Sequence, residues 1–260
     1  MKIIHIDCDV SGSTSISHLV RSGHVQTYRC PTFRDAEGVM WGLHRGAIRG
    51  DIVVLDTLTA LAGVARQDLV MEPSQTKQFP IWDNREKLVA DRQHYYKTAD
   101  VINRLLRPMR ELPIPSVFIA HERSTRGMES RVDPLSGTDK FIPNLQREIN
   151  DNIFSFADGI VRLFPSSTPF EWNGAHVPTG TRILLLSATS DSAAGVRVPA
   201  DKPPPPPIMV VPENDPYSFV RFIQAIGGEI PHNLVVYGPP KIGKTTWCAG
   251  AAYIEGAPSP

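Results

Sequence analysis

Eight residues late in the chain, Gly238-Pro239-Pro240-Lys241-Ile242-Gly243-Lys244-Thr245, follow the pattern G-x-x-x-x-G-K-T. Every residue type in it has a reason if the ligand is a polyphosphate. Loop amides, together with the start of the helix that follows, point at phosphate oxygens, and Gly243 lets the backbone come close. Lys244 would bridge the β- and γ-phosphates of a nucleoside triphosphate, and the Thr245 hydroxyl would bind Mg²⁺. The expected nucleotide-binding set is therefore Gly238, Pro239, Pro240, Lys241, Ile242, Gly243, Lys244, Thr245 and Thr246. Such a loop needs an acid for the metal. Asp51-Ile52-Val53-Val54-Leu55-Asp56 supplies one, a buried strand ending in a carboxylate in a Walker B pattern. Asp56 is expected to share Mg²⁺ with Thr245.

Short elements must hold these residues in place. Asn233–Tyr237 reads as a strand feeding the loop, and the Ala-rich run Thr246–Tyr253 as the helix leaving it. Apolar runs at Ile3–Ile6, Ile52–Leu55, Val117–Ala120, Ile160–Phe164, Ile183–Leu186 and Leu234–Tyr237 have the composition of buried parallel strands. Helical spacing of apolar residues covers Ala99–Glu111 and Leu145–Ala157. Strands alternating with helices predict an α/β fold, a mostly parallel sheet flanked by helices on both faces. Residues 159–187 read as a hairpin at the sheet edge. Residues 62–97 read as a long polar stretch, a helical excursion or a mobile functional loop, carrying Arg66, Lys77, Trp82, Arg85, Lys87 and Arg92. Ser190–Ile208 contains five consecutive prolines, Pro203–Pro207, and reads as a polyproline II spacer.

Composition narrows the classes. At 260 residues and 41% hydrophobic, the chain is most economically one domain with a real core, spanning 1–260. It divides into 1–189, the Pro-rich 190–208 and the loop-bearing 209–260. Twenty-seven basic residues balance 27 acidic ones, so any nucleic-acid contact must come from a local basic patch. Cys8, Cys30 and Cys248 are far apart and read as small core residues of a reduced protein. Histidines and cysteines lack metal-ligand spacing. No apolar run approaches the ~18 residues of a membrane span, and the start of the chain has no secretory pattern. A cytoplasmic protein without membrane contact is expected.

Asp56-Thr57-Leu58-Thr59-Ala60-Leu61 resembles the Walker B segment of the RecA family, in which Asp is followed by a hydroxyl residue and an apolar pair. Ile6-Asp7-Cys8-Asp9 resembles that family's strand end bearing the catalytic acid, with Asp9 at the position where the family usually has Glu. Val117-Phe118-Ile119-Ala120-His121 resembles the strand whose polar end senses the γ-phosphate, with His121 as sensor. The segment from Glu122 to Asn144 matches in position the DNA-contacting loop of RecA-like recombinases, which implies single-stranded DNA binding by Arg123, Arg126, Arg131 and Lys140, with Trp82 as a stacking candidate. Phe141–Leu145 and Ala157–Leu163 are similar to phage-encoded RecA-like ATPases of the single-strand-annealing type. The resemblance implies an ATPase using ATP and Mg²⁺, with Asp9, Lys244 and His121 catalytic. It further implies assembly into rings or filaments and residence in a bacterial host cell. In the phosphate loop, Lys241 stands where Gly-Pro-Pro-Gly loops have Gly.

The motif order is rotated: the Walker B pattern comes first and the phosphate loop last. Joining Pro260 to Lys2 restores the usual order, so a circular permutant is expected, with the proline tract bridging former termini. Met209–Pro212 would be the former start, followed by a helix over Tyr217–Ile226 and a turn at Gly227-Gly228. Two other functions stay open: a helicase or packaging-type motor, and a nucleotide-gated binding module with negligible hydrolysis.

Overall fold

The computed structural model describes residues 1–9, 14–71, 92–124, 141–213 and 215–254. The first third of the chain runs β1 (Ile3–Asp7), α1 (Ser17–Arg21), β2 (Val25–Arg29), α2 (Phe33–His44), β3 (Ile52–Asp56) and α3 (Leu58–Met71). Next come α4 (Arg92–Arg110), β4 (Ser116–Ser124), β5 (Phe141–Pro143), α5 (Arg147–Phe156) and β6 (Gly159–Pro165). A small ribbon of β7 (Phe170–Trp172) and β8 (Ala175–Val177) precedes β9 (Arg182–Leu185), β10 (Gly195–Val196) and β11 (Ile208–Val211). The chain closes with α6 (Ser218–Ala225), β12 (Asn233–Gly238), α7 (Lys244–Ala249) and a 3₁₀ turn over Gly250–Tyr253.

One ten-stranded sheet organises these elements in the order β11-β9-β6-β12-β4-β3-β1-β2, with β10 paired to β6 and β5 to β4. From β2 to β6 every neighbour on this path is parallel; β9 and β11 close the far side antiparallel. The fold is α/β with a mostly parallel central sheet. Because both faces are covered, the strands read as continuous apolar runs whose alternate residues serve opposite cores. Ile4, Ile6, Val53, Leu55, Phe118 and Val235 pack under α2, α3, α4 and α5. Ile3, Ile52, Val54, Val117, Ile119, Leu234 and Val236 pack under α1, α6 and α7. The start of α2 shows local sequence logic too: Thr32 and Asp35 close a reciprocal capping box.

Register fixes where polar strand ends fall. Asp7 lies opposite Asp56, Asp56 opposite Ile119, and His121 opposite Gly238. The carboxyl ends of β1, β3, β4 and β12 thus form one ledge, the place where open α/β sheets take their ligands.

Several elements differ from expectation. The hairpin over 159–187 is present as β6 and β9, but β11 pairs with β9 and occupies the edge. β2 has mostly polar or half-exposed residues around the buried Val25, the pattern of an edge strand that a search for apolar runs passes over. The stretch 190–208 does more than span a gap, since β10 pairs with β6 and Ser192 bridges to Phe141. Its last proline, Pro207, accepts a hydrogen bond from the Leu186 amide. α3 and α4 occupy the two ends of the polar excursion, and Trp82 lies outside the described residues. Among the described residues, no helix is long and apolar enough to cross a membrane.

α7 is short, and Trp247 is the largest of its buried side chains. Trp247 is buried, with its ring centroid 4.8 Å from that of Phe219 and 5.3 Å from that of Phe222. Replacing it by Ala removes a large buried ring and leaves a cavity, so W247A is expected to cost about 3–5 kcal/mol in urea denaturation. A loss below about 1 kcal/mol would show that α7 is held by something else.

Candidate functional site

The loop 238–245 takes its shape from its neighbours. β12 enters between β6 and β4, and a Cβ on Gly238 would collide with the main-chain carbonyl oxygen of Leu163 in β6. Gly238 is therefore required by strand packing, a reason separate from any phosphate. Lys241 sits in the left-handed region at φ 62° with its side chain exposed. A glycine there would be free of the roughly 1–2 kcal/mol that this conformation costs an ordinary residue. Gly243, at φ 93°, caps α7, and a Cβ on it would lie 2.7 Å from Nη1 of Arg182. Arg182, on β9, also donates from Nη2 to the Pro212 carbonyl at 2.8 Å. A guanidinium therefore rests beside the loop, which the sequence did not disclose because the pairing of β9 with β6 had to be known first.

Lys244 and Thr245 open α7 toward the ledge. The Lys244 ammonium donates to the carbonyls of Pro239 at 2.7 Å and Gly238 at 3.0 Å. Burial pulls its pKa down to about 8, while the nearby carboxylates of Asp56, Glu122 and Asp9 partly offset that shift. Thr245 Oγ1 donates to Asp56 Oδ2 at 2.5 Å, joining residues 189 positions apart. The same carboxylate oxygen is 3.2 Å from His5 Nε2.

Asp9 and His121 also meet. His121 Nε2 lies 3.5 Å from Asp9 Oδ2, with the Asp9 side chain 43% exposed. Burial, then the charge of Lys244, holds the imidazole below its ordinary pKa, and Asp9 opposes them only in part. The ring Nδ1 is buried without a hydrogen-bond partner, so donation to a phosphate requires Nε2 to leave Asp9. The His121 amide donates to Thr59 Oγ1 at 3.0 Å, which ties the end of β4 to α3.

Asp7 went unnoticed in the sequence, where Asp9 took the role of the strand-end acid. It is 1% exposed and opposite Asp56; its Oδ1 accepts from the Asp9 amide at 3.2 Å, and its Oδ2 is buried with no partner. An orphan carboxylate oxygen next to Asp56 is a place for a water or ion. Among the described residues, no group of three or more His, Cys, Asp and Glu side chains is arranged to hold a metal by itself. Thr245 and Asp56 offer two hard oxygen ligands of the kind Mg²⁺ takes when phosphates and waters complete its shell. The residues present thus fit a metal brought in with a nucleotide.

Next to the site lies a buried ion pair. Glu122 accepts from Arg162 Nε at 2.8 Å, and Arg162 Nη1 donates to Ser192 Oγ at 2.9 Å. The Arg162 guanidinium is 3.9 Å from the Phe141 ring centroid and 4.4 Å from that of Phe164. The Tyr237 hydroxyl, 2.6 Å from the Ala193 carbonyl, extends the network to the residue before Gly238. Of the residues expected to touch DNA, Arg123 is part-buried at the end of β4, with a buried Nε lacking a partner. Arg126, Arg131 and Lys140 lie outside the described residues. Burial pushes the thiol pKa of Cys8, Cys30 and Cys248 up, so none is a ready nucleophile.

A cleft of about 390 Å³ opens beside α7. Thr246, Gly250 and Tyr253 line it together with Arg182, Val211 and His18.

Compared with family models, curated proteins and solved structures, the chain finds no significant match. What the site can do is decided by its own residues.

A lysine held near pKa 8 by burial would regain its proton beside a bound polyphosphate, because adjacent negative charge favours the ammonium. At about pH 8.5, binding of ADP is expected to take up a proton, and affinity should fall as pH rises through that range. Calorimetry in buffers of different ionisation enthalpy measures the uptake. Equal apparent enthalpies in all buffers would contradict it, and K244A is expected to show none.

Proposed function

We propose that the chain is a RecA-like P-loop ATPase that binds ATP with Mg²⁺, hydrolyses it, and couples the cycle to single-stranded DNA in phage-type recombination or annealing. The observation that supports this most is the Thr245–Asp56 hydrogen bond, which brings the hydroxyl of the phosphate loop onto the Walker B carboxylate. Chance similarity to either motif carries no reason for the two to meet at one sheet ledge.

In this reading the amides of 238–245 and Lys244 hold the β- and γ-phosphates. Mg²⁺, when bound, would be held by Thr245 and Asp56 and would supply neutralisation of the phosphate charge. Asp9 orients the attacking water and takes its proton as the water oxygen bonds to the γ-phosphorus and the bond to the β-phosphate oxygen breaks. Asp7, through its free oxygen, holds water at the same ledge. His121 exchanges its contact with Asp9 for one with the γ-phosphate, and loss of that phosphate returns it. Arg182 adds positive charge beside Gly243, and the cleft next to Thr246 takes the nucleoside.

DNA coupling has a physical route. The segment 125–140 leaves and returns through the antiparallel pair Ser124↔Phe141, directly after His121 and Glu122. Arg162 touches both Glu122 and Phe141, so a shift at the phosphate-facing end of β4 is felt at the base of that segment. Basic residues Arg123, Arg126, Arg131 and Lys140 would meet the DNA backbone, and rings or filaments of the chain would line it up along a strand. We take the rotated motif order as circular permutation: β12, last in the chain, is inserted between β6 and β4 and parallel to both.

Steady-state hydrolysis with and without single-stranded DNA tests the whole proposal. Expected is Mg²⁺-dependent turnover that DNA raises and salt lowers, with none in K244A. Turnover indifferent to DNA would leave an ATPase and remove the recombination role. Nucleotide binding without turnover would turn the chain into a nucleotide-gated binding module.

A further inference from the structure

A line of polar side chains crosses the buried side of three neighbouring strands and ends on the carboxylate the proposed site needs. Thr27 of β2 is the register partner of His5 in β1, and its Oγ1 lies 3.3 Å from His5 Nδ1. His5 Nε2 reaches Asp56 Oδ2 in β3 at 3.2 Å, with both side chains 2% exposed. Thr245 Oγ1 reaches the same Oδ2 from α7 at 2.5 Å.

Hydrogen-bond chemistry orients this line. An ionised carboxylate only accepts, so the proton between His5 and Asp56 belongs to Nε2. In the neutral ring Nδ1 is then an acceptor, and the Thr27 hydroxyl is the donor that satisfies it. A small cavity beside the ring is lined by Ile3, Ile16, Val25, Val54 and Ala249, with Thr245 as the polar member, an environment in which an unbonded imidazole is costly. A histidine belongs there for its bonds.

Thr245 can hold Asp56 only while its own hydroxyl is not engaged elsewhere. His5 holds the same oxygen from the strand side in either case. We propose that His5, with its tautomer set by Asp56 and its second ring nitrogen held by Thr27, is a positioning residue that fixes the Asp56 carboxylate for the metal ion of a bound nucleotide. This rests on the nucleotide reading above. Outer partners of this kind orient ligands, and losing them lowers metal affinity.

The test uses the full chain, ADP as nucleotide and Mn²⁺ as metal probe, with binding read by electron paramagnetic resonance. Imidazole ¹H–¹⁵N correlation spectra of the free protein should show His5 protonated at Nε2; a ring protonated only at Nδ1 overturns the proposal. His5→Leu is expected to weaken Mn²⁺ binding to the ADP complex about 10–100-fold, whereas His5→Gln, which keeps an N–H at similar reach, stays within about threefold of the parent. Thr27→Val should show a smaller loss in the same direction. ADP binding in EDTA should be the same in all four proteins. Normal Mn²⁺ affinity in His5→Leu overturns the positioning role, as does His5→Gln failing as badly as His5→Leu, since the ring would then only fill space. If His5→Leu does not fold, Thr27→Val decides: parental Mn²⁺ affinity together with an unchanged His5 spectrum overturns the relay. A parent that binds no ADP at all removes the nucleotide reading, and this proposal with it; that outcome is distinct from a parent that binds ADP while its His5 variants hold metal normally.

Discussion

The hydrogen bond between the Thr245 hydroxyl and the Asp56 carboxylate is the contact on which the rest of this arrangement depends. It can form only if β12 lies within one strand of β3, and the sheet achieves this by seating the last strand of the chain between β6 and β4. β4 then separates the two and contributes its own polar end, with His121 level with Gly238. The two apolar clusters hold this order in place: each strand feeds alternate residues to opposite layers, so a slip of one residue would turn Asp56 away from α7 and an aliphatic side chain toward it.

Lys244 is buried and meets neutral carbonyls, not a carboxylate, and its proton is held weakly as a result. Asp7 has an oxygen with no partner, and His121 a ring nitrogen with none. The last two carry a cost that packing alone would not select, because a buried polar group without a partner is worth about 1–3 kcal/mol against the fold. An orphan carboxylate oxygen where register also brings two carboxylates together makes sense if a cation completes it. The Glu122–Arg162 pair beside it is different in kind: both partners are satisfied, the guanidinium lies between two aromatic rings, and the unit is suited to transmit a displacement.

The loop 238–245 and the acid ending β3 were legible as patterns because their signals are local, a fixed spacing in one case and an apolar run closed by an acid in the other. The parallel strands at 3–7, 52–56, 116–124 and 233–238 were legible for the same reason. β2 was not, since a half-buried edge strand carries few consecutive apolar residues; β11 is an apolar run whose pairing with β9 only the fold reveals. His5 and Asp7 left a sign that was available: two polar residues alternate with isoleucines in a strand otherwise apolar on both faces, so one face of β1 had to meet something polar. Arg182 and Arg162 left none. A cation on a strand acquires meaning only from the strands and loops beside it, and those neighbours come from sequence positions up to tens of residues away. Arg126, Arg131, Lys140 and Trp82 fall outside the described residues, so their place in the proposal rests on sequence alone.

A crystal structure of the chain with ADP and Mg²⁺ is the most direct check that the ledge is a nucleotide site. The β-phosphate is expected within the loop 238–245, with Lys244 released from the Gly238 and Pro239 carbonyls to reach it, and a metal ion on the Thr245 hydroxyl in place of the direct bond to Asp56. Nucleotide bound elsewhere, or none bound while the Thr245–Asp56 and Lys244–carbonyl contacts stay intact, would contradict it.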